Sequence, residues 1–157
     1  MPKVNPWVLF MYKIVIDTNL LIDGSSDDYN YGNRIIDEVI GGKLEAYANR
    51  ASLRENQFIA ARKISDETYL KKLNDFFAKI NPAPDELRLK VVEDNEDNKI
   101  LASAVGVNAD FLITSDWHLL KLGEYEGVRI VNPTQFWSEY SQESGSGWKD
   151  WMGKFIN

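Results

Sequence analysis

Tyr12-Lys13-Ile14-Val15-Ile16-Asp17-Thr18-Asn19 is the stretch that decides the fold. Its first five residues are a short, β-branched apolar run of the kind found in buried strands, and the run stops at an acid. Thr18 or Asn19 then stands where a helix would be capped. The pattern returns in Asp110-Phe111-Leu112-Ile113-Thr114, followed by Ser115-Asp116. Further strand-like runs occupy 44–48, 87–92 and 128–131. Helical spacing fills the gaps: 33–40, stopped by Gly41-Gly42; 52–64; a new start at Ser65-Asp66-Glu67, broken by Asn81-Pro82-Ala83-Pro84; 97–106; a short helix or turn around Leu119, Leu120 and Leu122; and a start at Asn132-Pro133-Thr134. Residues 25–31 read as polar and turn-like. Five strands alternating with helices predict an α/β fold, a three-layer α/β/α sandwich on a central parallel five-stranded sheet.

The chain has 157 residues, enough for one domain with a real core. We expect an N-terminal extension at 1–11, the sheet domain at 12–141, and a linker with a short amphipathic helix at 142–157. In that helix Trp148, Trp151, Met152 and Phe155 share a face. It is expected to dock on its own domain or to form a self-association or partner surface. The first residues, including Trp7-Val8-Leu9-Phe10-Met11, lack a signal-peptide core and cleavage site. No apolar run is long enough to span a bilayer, so no membrane partner is expected. The sequence has no cysteine, which removes disulfides, thiolate metal ligands and thiol nucleophiles and favours a cytoplasmic setting. Its single histidine, His118, removes multi-histidine metal sites and weakens any Ser-His-Asp arrangement.

Net charge is −6, opposite to the basic footprint of most nucleic-acid binders. The charge is uneven, however. Between residues 50 and 72, Arg50, Arg54, Arg62, Lys63, Lys71 and Lys72 face only Glu55, Asp66 and Glu67, a local balance of +3. A basic helix beside an acidic pocket suits a polyanionic substrate, and Arg54, Arg62 and Lys63 are its candidate contacts. A solvated helical face is the plain alternative.

The acids carry the chemistry. In open α/β sheets ligands bind beyond the carboxyl ends of the strands. Asp17 follows the first strand and Asp116 the fourth, and Asp97 opens the helix after the third. Glu55 lies on the helix after the second. Carboxylates without imidazole or thiolate are the donor set of Mg²⁺ or Mn²⁺. Such a site can generate a hydroxide and steady a leaving oxygen, which points to hydrolysis of phosphodiester bonds, RNA above all. Asp17, Asp97 and Asp116 are the expected metal ligands, and Glu55 joins them as a catalytic candidate. Asn19, Thr114 and Ser115 are the supporting polar residues. Each has a simpler reading as a turn residue or helix cap.

Taken together, Ile14 to Asn19, Glu55 at a helix start, Glu93-Asp94-Asn95-Glu96-Asp97-Asn98-Lys99-Ile100-Leu101, Ala109 to Asp116 with Leu119-Leu120, and Val128 to Phe136 resemble a PIN domain over roughly residues 12–140. More narrowly they resemble the toxin components of bacterial and archaeal toxin–antitoxin pairs, the VapC-type toxins. The resemblance implies a Mg²⁺- or Mn²⁺-dependent endoribonuclease with its ligands at Asp17, Glu55, Asp97 and Asp116. It also implies homodimers and an antitoxin that blocks the site. In the third motif Glu93, Asp94 and Glu96 compete with Asp97.

Two other classes also place aspartates at strand ends. A receiver-like or haloacid-dehalogenase-like phosphoacceptor fits less well, because Asn19 stands where the latter needs its second aspartate. A non-catalytic RNA- or protein-binding module of the same fold would be expected to have lost an acid.

Overall fold

β1 (Lys13–Ile16) runs through the middle of the sheet, hydrogen-bonded on both sides. The computed structural model describes residues 11–142. Apart from Met11 and Gln142, the expected extension and tail, including Trp148, Trp151, Met152 and Phe155, lie outside the described residues. Around β1 the strands β2 (Glu45–Ala48), β3 (Asn81–Pro82), β4 (Phe111–Ile113), β5 (Glu124–Tyr125) and β6 (Val128–Val131) assemble in the order β3-β2-β1-β4-β6-β5. Every pairing is parallel except β5 with β6.

The helices are α1 (Asn19–Asp23), α2 (Ser26–Ile40), α3 (Arg50–Lys63), α4 (Glu67–Lys79), α5 (Asn95–Gly106), α6 (Trp117–Leu120) and α7, helical from 133 to 142. Alternation along the strands divides them into two layers. Ile14 and Ile16 of β1, with Phe111 and Ile113 of β4, pack against α1, α2, α4 and Phe136 of α7. Val15 and Leu112 face the other way, onto Leu101 and Ala104 of α5 and Leu119 of α6. Each of these large buried side chains contributes roughly 1.5–3 kcal/mol by leaving water. The architecture is the expected α/β/α sandwich.

Three details depart from the sequence reading. The run 87–92 is not a strand. Leu89, Val91 and Val92 pack against the α5-side core, which explains the alternation. The backbone of Val91 and Val92 is held by a side chain instead of a ladder: Asn98 Oδ1 accepts from the N–H groups of Val91 (2.9 Å) and Val92 (3.0 Å), and its Nδ2 donates to the Val92 carbonyl (2.7 Å). The sheet edge is formed by β3, where Pro82 is tolerated because an edge strand has one side unpaired.

Among the described residues the sheet also has six strands, not five. Glu126 (φ 49°) and Gly127 (φ 82°) form a two-residue hairpin loop that folds Glu124-Tyr125 back onto β6.

Finally, α2 starts at Ser26, within the segment read as a turn. Ser25 Oγ accepts from the Asp28 N–H while Asp28 Oδ2 accepts from the Ser25 N–H, both at 3.2 Å, a closed capping box. Gly32 lies buried within this helix. A Cβ there would come within 2.8 Å of Leu21 Cδ2, so the absent side chain is what lets α1 approach.

Candidate active site

The chain reverses direction across the sheet between β1 and β4. From β1 it proceeds through β2 to β3 on one side, and from β4 to β6 on the other. This switch point leaves a crevice beyond the two strand ends. Asp17 follows β1 directly, and its own N–H donates to the Ile113 carbonyl at 2.8 Å, so the end of β1 is tied to the end of β4. Its side chain is only 7% exposed. The Asn19 N–H donates to Asp17 Oδ1 and the Thr114 hydroxyl donates to Oδ2, each at 3.1 Å. Thr114 in turn accepts from the Asp116 N–H at 3.1 Å. One buried threonine therefore connects the acids that end two neighbouring strands.

Helix α1 is held against this turn from below. The hydroxyl of Tyr69 donates to the Leu21 carbonyl at 2.6 Å and that of Tyr29 donates to the Ile22 carbonyl, which satisfies two carbonyls at the end of the helix.

Asp97 reaches the crevice from the first turn of α5. The cap of that helix is Asp94, whose Oδ1 accepts from the N–H groups of Glu96 (2.7 Å) and Asp97 (3.2 Å). The Asp97 carboxyl is therefore not used as the cap and is free for the crevice. Burial pushes its pKa up to about 7, helped by a hydrogen bond and charge repulsion from Asp116 and by the charges of Asp94 and Asp17. Asp17 is raised as well, chiefly by burial. Its bonds from Asn19 and Thr114 oppose the rise, and Asp116 adds to it. Asp116 also caps α6, its Oδ1 accepting from the His118 N–H at 2.8 Å.

Asp17, Thr18, Asn19, Glu55, Glu96 and Asp97 share the walls of a cavity of about 140 Å³ with apolar residues of β1, α3 and α5. Among the described residues no cationic side chain lines it. Glu55 is exposed at its rim on α3. Among the described residues no group of three or more acid or imidazole side chains forms a ready ion cage. The Asp97 carboxyl instead meets that of Asp116 in a hydrogen bond.

The site fits a hard divalent cation by its donors, which are all oxygens from crowded acids. It also contains an orphan. Thr18 lines the cavity and is 4% exposed, and its hydroxyl is buried without a hydrogen-bond partner among the described residues. Buried polar atoms are rarely left so unless a water or ion completes them.

The other expected residues separate. Ser115 is exposed and stands outside this chain of hydrogen bonds. Arg54, Arg62 and Lys63 do not line the cavity. Arg62 lies over the Phe58 ring at 5.4 Å and Lys63 pairs with Asp23 at 3.1 Å. Helical periodicity gathered these cations on one element without fixing which end of it meets the sheet edge.

Three residues were missed. Thr18 was read only as a cap. Asn49 caps α3, accepting from the Ala51 N–H at 2.8 Å, and donates across to Asp85 Oδ1 at 2.7 Å. Asn98 replaces the strand ladder. An Asn immediately before the α3 helix was a readable cap signal for Asn49. Nothing local marks Asn98.

An acidic crevice at the switch point of a mostly parallel, helix-covered sheet defines a class of site, one built to receive a ligand with its own positive charge or a cation. The family follows directly. A family profile described as PIN domain matches residues 13–118, from β1 into α6, and the chain belongs to the PIN domain family. PIN domains are typically nucleases that use divalent metals and bind nucleic acid. No curated protein gives a significant match to the chain. Among the described residues, no helix is long and apolar enough to cross a membrane.

Proposed function

We propose that this chain is a Mg²⁺- or Mn²⁺-dependent endoribonuclease. Residues 12–141 form its catalytic unit, and the protein acts as the toxin of a toxin–antitoxin pair, as a cytoplasmic homodimer restrained by an antitoxin. The observation that carries the nuclease reading is the acidic crevice itself: Asp17, Asp97 and Asp116 come from three separate elements, and Asp17 and Asp97 are raised by burial and by neighbouring negative charge beside an orphaned Thr18 hydroxyl. The toxin reading rests on the sequence resemblance and the small size of the domain.

Asp17, Asp97 and Asp116 are the residues that would hold the ion. When bound, it supplies charge neutralisation for an incoming phosphodiester and acidifies a water molecule. The chain's own groups do the rest. Thr114 and the Asn19 N–H fix both oxygens of Asp17, so this carboxylate needs little reorganisation. Asp97 holds a proton near neutral pH and gives it up when opposite charge arrives. Thr18 offers a hydroxyl to a water or phosphate oxygen in the cavity. Glu55, a residue of the rim, would take a proton from water entering from solvent.

The test uses purified protein and an unstructured RNA. Mn²⁺ should start cleavage and EDTA should stop it. Asp17→Asn and Asp116→Asn should each be inactive while remaining folded. Full cleavage by either variant excludes catalysis through that residue. For the toxin reading, induced expression should arrest growth, and co-expression of the adjacent gene product should restore it.

A further inference from the structure

A second and larger cleft, of about 530 Å³, opens beside the carboxylate cavity. The two share Ser52 and Glu55 of α3 and Glu96 of α5 as common walls. Its outer wall is the segment 83–92, which is neither helix nor strand but is fastened at both ends. At one end the Ala83 N–H donates to the Ala48 carbonyl at 2.8 Å and Asn49 Nδ2 bonds Asp85 at 2.7 Å. At the other end Asn98 holds Val91 and Val92 by three hydrogen bonds. The segment is thus a strap with two anchors. Leu89, between them, packs toward the core, while Arg88 and Lys90 on either side of it stay exposed.

The two spaces differ in charge: acids line the first, whereas in the second Glu55, Asp85 and Glu96 are matched by three cations. The carboxylate cavity has acids and, among the described residues, no cation. The strap cleft brings in Arg88, Lys90 and Lys99. Arg88 is held locally by Asp85 at 3.4 Å and Lys99 by Glu96 at 2.9 Å, both on exposed side chains, where such pairs are weak and readily exchanged for a stronger anion. Lys90 makes no ion pair among the described residues. A volume of this size falls in the range that accepts an extended ligand segment, roughly 300–1,000 Å³.

We propose that the strap cleft binds the sugar–phosphate backbone of a single RNA strand, with Arg88, Lys90 and Lys99 meeting the phosphates on one side of the bond cut in the carboxylate cavity. This rests on the nuclease reading and assigns the substrate's path to a different surface from the α3 cations. RNA is favoured over an acidic protein segment because the cleft continues directly into the cavity where a phosphodiester would have to lie. It also explains how a chain of net charge −6 can hold a polyanion: the cations needed are few and sit next to the acids.

The test measures RNA binding by an inactive Asp17→Asn background, in EDTA, with a fluorescent unstructured oligonucleotide at several salt concentrations. Adding Arg88→Gln and Lys90→Gln should lower the slope of log affinity against log salt by about 0.7 for each phosphate contact removed. In the otherwise native protein the same pair should raise KM about threefold or more and leave kcat within about twofold. Arg88→Lys should restore the slope, and Arg62→Gln should leave it unchanged. An unchanged slope and KM in a folded double variant overturn the cleft assignment while leaving the nuclease reading standing. Native protein that never cleaves RNA overturns the nuclease reading itself. A double variant that loses an acidic partner protein but keeps the native RNA slope assigns the cleft to protein and also overturns the proposal.

Discussion

Thr114 Oγ1 donates to Asp17 Oδ2 at 3.1 Å across 97 positions of sequence, and that bond is the hinge of the site. The hydroxyl has one proton to give and spends it on Asp17. Its lone pairs take the Asp116 N–H. Thr114 thereby sets the spacing of two acids without carrying charge.

Thr114→Val keeps the shape and removes both bonds. We expect a stability loss of about 1 kcal/mol and a fall in metal-dependent cleavage on the order of 10- to 100-fold. Thr114→Ser should retain most of both. Paired melting curves and initial rates check this, and native rates in Thr114→Val would exclude the positioning role.

Asp97→Asn should move stability and activity in opposite directions. The neutral side chain removes repulsion from Asp116, Asp94 and Asp17. At pH 8 in EDTA the melting temperature should rise, by about 3 °C for a gain near 1 kcal/mol after solvent screening. Cleavage with Mn²⁺ should vanish. A variant that melts lower and still cleaves would contradict both expectations.

The same carboxyl gives the metal-free protein a pH dependence of defined sign. Asp97 is raised from 3.8 to about 7 in the fold, so the folded state binds its proton more tightly than the unfolded chain does. That contribution is fully present below pH 3.8 and is lost as pH rises through about 7. Asp17, also raised, acts in the same direction. Melting temperature in EDTA should therefore decline between about pH 5 and 8, and Mn²⁺ should recover the loss at pH 8 far more than at pH 5. A flat profile in EDTA would mean that the acids do not share their charge as described.

Asn98→Ala should release one anchor of the strap. Three hydrogen bonds disappear and two N–H groups and a carbonyl lose their partner, a cost of about 2 kcal/mol. Hydrogen exchange at Val91 and Val92 should accelerate while the amides of β1 stay protected. Unchanged protection at Val91 and Val92 would show that the strap is held by packing alone.

Phe136→Ala tests the far layer. Phe136 is fully buried, 5.1 Å from Phe111 edge-on and 5.4 Å from Tyr140 in a stack. Truncation should cost about 3–5 kcal/mol, lowering the melting temperature by about 10 °C, with the cleavage rate below that temperature preserved.

Much of this was legible along the chain. The runs ending at Asp17 and Thr114 are short, β-branched or aromatic, and buried on both faces, and such runs declare parallel strands whatever surrounds them. Hence the α/β class, the family and the acids at the strand ends could all be read from the sequence. The strand expected at 87–92 was misread because alternating burial is common to strands and to straps packed on a core. Only the bonding partner tells them apart, and here it is a side chain six positions beyond Val92 and seven beyond Val91. Helix α2 was begun too late because Gly32 and the polar residues before it look like a turn until the capping box closes.

The sequence by itself determined which groups are available: oxygen donors without imidazole pairs or thiols, set where strands stop, because composition and periodicity are local properties. The tertiary structure alone decided their relations. It gave Asp94 the cap and left Asp97 for the crevice, bonded Asp97 to Asp116, left the Thr18 hydroxyl orphaned, and took the α3 cations away from the cavity while bringing Arg88, Lys90 and Lys99 beside it. Proximity between distant residues is created by the order in which strands pair, and no stretch of chain encodes that order on its own.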